Sequence, residues 1–324
     1  MLNYEKLEDG IFQVRSASKF GGSCNGILIK NIENSGNILI DCNFNNNEIQ
    51  ELYKSLNHEL TAYYASHTHL DHVSNIHYYE TLGVKIYCPI PEDRYLKDIN
   101  IFMKENGMVD GGVDDIFRNM IIQGLNFKHL TRCNAFKPDT KFNYGKIVLE
   151  TIHIPGHSPG QTAYLIRDKT GVRRDILFVS DLGIERYGPW YGLKHCNLKD
   201  YRNSIEKLED IYLRDSSDDT ILASGHGKAY LMKQPEIFRN TLKKIEINEN
   251  KVLSMFHSDK PKKLDDITLK GVYYPEKHIK NLFTDFRKIH FFWERYIIFH
   301  HINELIEKNK LIEVDPEHKS YMLK

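Results

Sequence analysis

The strongest constraint on this chain is the run His-Thr-His-Leu-Asp-His at residues 67–72, which places three imidazoles and one carboxylate within six positions. The run directly follows an apolar stretch that predicts a buried strand. Successive side chains of an extended segment point to opposite faces, so His67 and His69 share one side and can bind one ion. The chain then turns and offers Asp71 and His72 nearby. The pattern therefore predicts a metal site and allows two metal ions.

Other segments must complete such a site, because catalytic zinc takes three protein ligands plus water. His157 follows the strand predicted at residues 146–152, in a loop rich in Pro and Gly. Asp181 follows the apolar run at residues 175–180, where a carboxylate is costly unless it is paired or bound to a metal. His226 follows a further apolar run. Four strand ends are thus predicted to bring seven potential ligands to one edge of a sheet.

These seven residues match, in order, the metal motif of the metallo-β-lactamase superfamily: HxHxDH, then a lone His, an Asp and a last His. The chain resembles that superfamily over roughly residues 10–230. The resemblance implies an α/β fold, the αββα sandwich, in which two mixed sheets pack face to face and helices cover their outer sides. It also implies a binuclear site, with one ion bound by His67, His69 and His157, the second by Asp71, His72 and His226, and Asp181 as the bridge.

Length and hydrophobic periodicity predict the domain organisation. The 324 residues, 41% of them hydrophobic, suffice for one large or two modest domains. Residues 1–230 are predicted to form the catalytic domain. A helical insertion at about residues 91–132 is expected either to wall the active site or to pack on the sheet. Residues 231–324 are predicted to form a helical extension whose terminal hairpin resembles that of a winged helix.

The charge balance bears on partners. Lysines and arginines together number 44, as do aspartates and glutamates, which gives a formal net charge of zero. A neutral chain is not typical of a protein that grips a polyanion. Residues 231–324 hold 18 basic and 14 acidic side chains, an excess too small to indicate nucleic-acid binding. We therefore predict no nucleic-acid partner, and expect the extension to brace the active site or to pair subunits as a homodimer.

Cysteine usage and the first residues bear on the compartment. The five cysteines are scattered and odd in number, which favours reduced thiols over a disulfide framework. The N-terminal residues are charged and lack the apolar core of a signal peptide. No run approaches the roughly 18 apolar residues of a membrane span. These features predict a cytoplasmic protein that does not cross a membrane.

The expected chemistry is that of two divalent cations about 4 Å apart, which lower the pKa of a bridging water to around 7 and so generate a hydroxide nucleophile. Asp71 is a candidate to orient that hydroxide. Zinc is the predicted metal, with iron or manganese as alternatives that histidine and carboxylate ligands also bind.

The loop after Asp181 is the predicted substrate-binding segment, since loops beside a scaffolded metal usually carry substrate contacts. Trp190 and Tyr191 are expected either to wall an apolar pocket or, in the case of Trp190, to fill a local core. Tyr187 or Tyr191 is a candidate to donate a hydrogen bond to the substrate's carbonyl oxygen. His195, just beyond, is a further possible substrate contact.

Individual motif positions separate the activities that the resemblance implies. The antibiotic-cleaving β-lactamases usually carry Cys or Ser where this chain has Asp181, and homoserine-lactone lactonases carry Tyr where it has Ile184. Flavin-linked di-iron relatives carry Glu in place of His69. Hydroxyacyl-glutathione hydrolases share all seven ligand positions, although their glutathione-anchoring tail is not found here. The predicted function is therefore metal-dependent hydrolysis of a small ester or thioester.

Four alternatives remain open at this stage. Ribonucleases of the superfamily use the same seven ligands, so a metal-dependent nucleic-acid phosphodiesterase is the main one. A lactonase and a persulfide dioxygenase with a single iron ion are two others. The fourth is a non-catalytic regulatory protein that retains its metal site. Metal content and substrate panels separate these possibilities.

Overall fold

Two β-sheets packed face to face form the centre of the protein, whose computed structural model describes residues 2–16, 24–32, 36–214 and 220–324. The first sheet has seven strands in chain order: β1 (Leu2–Glu8), β2 (Ile11–Ser16), β3 (Gly26–Ile32), β4 (Gly36–Ile40), β5 (Leu60–Tyr64), β6 (Lys85–Pro89) and β7 (Asn134–Phe136). Strands β1 to β4 pair antiparallel, and β4 to β7 pair parallel. Its parallel half delivers the HxHxDH run at the carboxyl end of β5.

The second sheet supplies the other ligand segments. Its strands are β8 (Lys141–Tyr144), β9 (Ile147–His153), β10 (Thr162–Asp168), β11 (Ile176–Phe178) and β12 (Ile221–Ala223), in the spatial order β12-β11-β10-β9-β8. The pairs are antiparallel except β11 with β12, which run parallel. Because β11 and β12 point the same way, the segments that follow them emerge at the same sheet edge.

Helices cover both outer faces of the sandwich. Between the sheets, inward side chains such as Ile38 and Ile40 of β4 share a buried cluster with Tyr164 and Ile166 of β10. On the first sheet lie α1 (Asn46–Ser55), α2 (Leu70–Val73) and α3 (Ile76–Thr81), and on the second lies α6 (Leu198–Arg214). The predicted αββα sandwich is confirmed.

The insertion between β6 and β7 is helical, as its sequence predicts. It contains a 3₁₀ turn (Glu92–Leu96), α4 (Ile99–Glu105), α5 (Asp114–Asn119) and a π turn (Met120–Gly124). Its apolar side chains, such as Phe102 and Phe117, join the large buried cluster that helices form with outward side chains of both sheets, such as Leu39 and Leu177, which we call the main core. The segment is therefore fixed against the catalytic part of the molecule.

The C-terminal part is helical and ends in a hairpin, as predicted. It consists of α7 (Glu236–Leu253), β13 (Lys262–Lys263), α8 (Leu264–Thr268), α9 (Glu276–Ile279), α10 (Asp285–Glu307), β14 (Leu311–Asp315) and β15 (Ser320–Leu323). Helix α10 has two roles: Phe292 and Ile297 join the main core, whereas Ile298 and Ile302 pack in a separate core with the hairpin. Within the four ranges given above, no helix combines the length and apolarity that crossing a bilayer requires.

Candidate metal centre

The first group of predicted ligands consists of three buried histidines. His67 and His69 follow β5, and His157 follows β9, and their ring centroids lie 4.4 to 4.9 Å apart. One ligand atom from each lies within 4.8 Å of the other two. The Nε2 atoms of all three are buried and accept or donate no hydrogen bond among the described residues. Buried polar atoms are normally satisfied, so three orphaned nitrogens facing one another fit a metal ion.

The second group combines two carboxylates with two histidines. Asp71 and His72 lie on the single turn of α2, while Asp181 and His226 follow β11 and β12. Their ligand atoms also lie within 4.8 Å of one another. His226 Nε2 is 3.1 Å from Asp71 Oδ2. This is a mixed nitrogen and oxygen donor set of the kind that zinc, iron and manganese accept.

Asp181 lies between the two groups. Its Oδ1 is 3.1 Å from His72 Nε2, and its Oδ2 is 3.2 Å from His226 Nε2 and 3.7 Å from His157 Nε2. One carboxylate therefore reaches histidines of both groups, the position that the sequence resemblance gives to a bridging ligand. The structure thus brings together all seven residues that the sequence indicated.

The two groups differ in electrostatics. Burial lowers the pKa of His67, His69 and His157, and the imidazoles beside His67 and His69 lower theirs further. The negative charge of Asp181 raises the pKa of His226 to about 12. Burial opposes charge on His72, but Cys24 and the carboxylates around it hold its pKa well above the ordinary value. Without metal, the first group is neutral and the second is a set of acid-base pairs.

Asp41 is a supporting residue that the sequence interpretation missed. Its Oδ2 lies 2.9 Å from His72 Nδ1, and its Oδ1 accepts a hydrogen bond from the backbone N–H of Ser66. A carboxylate on the second ring nitrogen fixes the orientation of a metal-binding histidine. The signal was present, since Asp41 follows the apolar run of β4 just as Asp181 follows that of β11.

Glu92, at the start of the insertion, ties two ligand loops together. Its side chain is fully buried and accepts hydrogen bonds from the backbone N–H and hydroxyl of Thr68, the hydroxyl of Ser158 and the backbone N–H of Gly160. Thr68 lies between two ligands and Ser158 follows a third. No sequence signal marks this glutamate, because its partners are 24 to 68 positions away.

A cavity of about 410 Å³ opens onto both groups. Three separate segments wall it with apolar side chains. The insertion provides Phe102, Met108, Phe117, Met120 and Leu125, the loop after Asp181 provides Tyr187, Trp190 and Leu193, and the C-terminal extension provides Tyr273, Tyr274 and Trp293. The indole N–H of Trp190 donates to the hydroxyl of Tyr274 at 2.7 Å, which joins two of these walls.

The loop after Asp181, which we call the aromatic loop, agrees only in part with the prediction that it contacts substrate. Trp190 lines the cavity, and its carbonyl oxygen lies 2.8 Å from His157 Nδ1. Tyr187 lies at the cavity wall with 84% of its surface exposed. The expectation that Tyr191 contacts substrate is wrong, because its side chain is fully buried and its hydroxyl lies 2.8 Å from His301 Nε2. His195 stacks on His69 and does not belong to the cavity lining.

No family model matches the chain, but two curated proteins do. The chain is 26% identical over 171 residues to the hydroxyacylglutathione hydrolase GloC of Haemophilus influenzae, a match that covers 50% of this chain and 66% of that protein. It is 26% identical over 120 residues to the probable metallo-hydrolase YqgX of Bacillus subtilis, covering 36% of this chain and 50% of that protein. The matches therefore span two thirds or less of either relative.

Solved structures share the fold at lower identity. A metallo-β-lactamase family protein from Thermus thermophilus superposes with a TM-score of 0.71 and 15% identity, covering 98% of this chain and 100% of its own. That likeness includes the C-terminal extension. A second structure, solved in a di-iron-bound form, covers 70% of this chain and 98% of its own, with a TM-score of 0.50 and 19% identity. The chain therefore has the fold of the metallo-β-lactamase family proteins, and its seven predicted ligands stand in the order of that superfamily's metal motif.

Proposed function

We propose that the protein is a metal-dependent hydrolase that holds two divalent metal ions and cleaves a small ester or thioester with an apolar acyl group. The observation that carries the proposal is the set of orphaned Nε2 atoms of His67, His69 and His157, which converge beside Asp181 at the end of an apolar cavity.

The proposed ligands follow the two groups in the structure. His67, His69 and His157 would hold one ion, Asp71, His72 and His226 the other, and Asp181 would bind both. Zinc is the proposed metal because its ligands are histidine and carboxylate in sites of this kind, and iron and manganese accept the same donors. The donor set fits, since each group provides three or more converging atoms.

The bound ions would supply a hydroxide nucleophile at neutral pH and polarise the scissile carbonyl. The side chains of the protein would orient the attacking water and enclose the acyl group. Asp71, whose side chain is 34% exposed towards the cavity, would accept a hydrogen bond from the attacking water and hold it in line. The Trp190 indole and the walls around it would hold the acyl group and exclude bulk water, which strengthens every electrostatic interaction in the site.

The apolar cavity favours an acyl compound over a nucleic acid. Apart from the ligand groups, most of the cavity-lining residues are aromatic or aliphatic, and the chain has no net charge. A phosphodiester substrate brings charges that are recognised by lysine and arginine, and none lines this cavity among the described residues. The named activity of the GloC relative, hydrolysis of a hydroxyacylglutathione, is consistent with a thioester substrate here.

Metal analysis and a substrate panel test the proposal. The protein, incubated with zinc, iron or manganese and then freed of excess metal, is expected to retain close to two ions per chain by elemental analysis. It is then expected to turn over thioesters or esters faster than lactones and phosphodiesters. His67→Ala should remove metal and activity, whereas His58→Ala, a change at an exposed histidine on another loop, should remove neither.

Two results would contradict the proposal. Retention of at most one ion under every loading condition would overturn the binuclear site and favour the single-iron dioxygenase. Metal-dependent cleavage of RNA, with tight binding that weakens steeply as salt rises, would replace the acyl hydrolase by a nuclease.

A further inference from the structure

Glu185 brings to the cavity a carboxylate that the metal groups do not use. It lies four residues after Asp181, and its side chain lines the cavity. A Cβ atom placed on Gly227 would come within 3.0 Å of Glu185 Cγ, so the side chain packs against the loop that carries His226. Glu185 is not among the converging ligand atoms of either group. It is therefore beside the reaction centre without being a ligand.

One oxygen of this carboxylate has no partner. Glu185 Oε1 is buried and accepts no hydrogen bond from any described residue. The nearby ammonium of Lys244 donates instead to the backbone carbonyl of Glu185, at 2.6 Å. Burial raises the pKa of the Glu185 carboxyl, and the nearby hydroxyl of Ser224 offsets part of that effect. A buried acceptor without a donor is costly, so the position calls for a donor from outside the chain.

The surroundings restrict what that donor can belong to. Apart from the ligand groups and the hydroxyls of Tyr187, Tyr273 and Tyr274, the cavity wall, including Phe117, Met120 and Leu125 of the insertion, is largely hydrocarbon. A ligand that fills this space must be largely apolar, yet only a polar N–H or O–H group satisfies the orphaned oxygen. A pocket with few polar groups in an apolar wall discriminates strongly against analogues that lack the group matching one of them.

We propose that Glu185 is a specificity-determining residue. The substrate is an apolar acyl compound with one hydrogen-bond donor, which is an amino, hydroxyl or amide N–H group, and the Glu185 carboxylate accepts the hydrogen bond from this donor. This inference rests on the proposed acyl-hydrolase function for the identity of the substrate class. The hydrogen bond to Glu185 contributes to substrate binding, and no covalent bond forms or breaks at this residue.

Tryptophan fluorescence provides a readout that does not depend on turnover. The chain has two tryptophans, Trp190 and Trp293, and both line the cavity. Unreactive tertiary amides serve as probes: N,N-dimethyl-3-phenylpropanamide, which has no hydrogen-bond donor, as the parent, and its derivatives with an amino or hydroxyl group at position 2 or an amino group on the ring. Titrations are carried out on the metal-loaded and on the metal-free protein.

At least one derivative with a donor is expected to bind about tenfold or more tightly than the parent, as for a hydrogen bond to a charged group. Glu185→Leu should reduce that ratio to near one. Glu185→Gln, which is nearly isosteric, keeps an acceptor oxygen and should retain part of the preference for a hydroxyl while losing most of that for a charged amine. Glu206→Leu, at an exposed glutamate on α6 outside the cavity, is the matched control and should keep the wild-type ratio.

The inference is overturned if no derivative is preferred by the wild-type protein, or if the preference persists in both Glu185 variants. Thioesters of the same acids separate this failure from that of the proposed function. Turnover without any preference for the donor rejects the role of Glu185 alone. Preferential binding that depends on Glu185, with no turnover of any thioester or ester, rejects the hydrolase and leaves the binding role intact.

Discussion

The two groups of proposed ligands share a bridge but differ in almost every physical respect. The first, His67, His69 and His157, is all nitrogen and deeply buried. The second contains two carboxylates, and His226, one of its members, has 40% of its side chain exposed. The first group would bind a cation with neutral ligands, whereas the second would neutralise part of the charge of its cation with carboxylates.

This difference shows how the same sheet edge can support two unlike sites. The loops of the first group are held by a residue of the insertion, because Glu92 accepts hydrogen bonds from Thr68, between His67 and His69, and from Gly160, after His157. The second depends on a helical turn and on Asp41 behind His72. We therefore expect the two sites to respond to different supporting residues and to different solution conditions.

The largest effect is expected from replacing Asp181, because this residue is the proposed ligand that both groups share. Asp181→Ala removes a ligand from both groups and leaves the histidines without their shared carboxylate. Activity should fall by more than the roughly 10- to 100-fold typical of a supporting residue, and at least one ion per chain should be lost. Elemental analysis and turnover of a thioester check this, with Asp210→Ala on the exposed face of α6 as the control. A fully metallated and active Asp181→Ala protein would show that the bridge is misassigned.

The supporting residues should separate the two sites. Asp41→Asn should weaken metal binding at the second group, because the His72 ring loses its charged partner. Glu92→Gln should weaken binding at the first group, because Thr68, Ser158 and Gly160 lose an ionised acceptor. Each loss is expected to be about 10- to 100-fold in affinity. Stepwise metal titration with a competing chelator measures both, and equal weakening of both sites by either variant would contradict the assignment.

Acidification should affect the second site first. The raised pKa of His226 means that, without metal, its ring holds a proton at pH 7, and metal binding must displace that proton. Affinity at the second site should therefore fall by up to about tenfold for each pH unit and displaced proton as pH falls from 8 to 6. The histidines of the first group have lowered pKa values, so metal binding displaces fewer protons there and the affinity of the first site should change less. Proton release measured in weak buffer during metal addition tests the difference.

The smallest effects should distinguish two neighbours in the aromatic loop. Trp190→Ala removes part of the cavity wall. It should cost about 1–3 kcal/mol of transition-state stabilisation for an apolar thioester, which is measured as a fall in kcat/KM. Tyr191→Phe removes a buried hydroxyl that pairs with His301 and Asn248, and should lower the free energy of unfolding by about 1 kcal/mol. Tyr191→Phe should leave KM unchanged. A rise in KM for that variant would restore Tyr191 to the substrate site.

The sequence predicts the residues whose polar side chains would be costly to bury without a metal ion or a partner. The HxHxDH run and Asp181 each place polar groups directly after apolar strands, so the ligand set and the sheet edge followed from the sequence and the family resemblance. Asp41 carried the same signal as Asp181 and was missed because no motif position drew attention to it. Glu92 could not be found this way, since its burial arises from partners that only the folded chain assembles.

The aromatic loop shows a second limit of sequence reasoning. Trp190 and Tyr191 are adjacent and similar in character, and nothing local decides which one faces the cavity. Their opposite orientations go with contacts to distant segments: Trp190 contacts Tyr274, which precedes α9, and Tyr191 contacts His301 of α10. The same holds for the cavity wall as a whole, because its three segments are distant in sequence and become neighbours only in the folded chain.

The position of that wall along the chain has a consequence for synthesis. Every proposed metal ligand lies at or before His226, whereas Tyr273, Tyr274 and Trp293 lie in the last fifth of the sequence. A growing chain therefore carries its complete ligand set some fifty residues before the ribosome adds the first of these aromatic side chains. Synthesis thus completes the proposed ligand set before it completes the cavity wall, and a chain stopped between the two stages would carry the proposed ligands for both ions without the aromatic side chains that help to restrict the substrate.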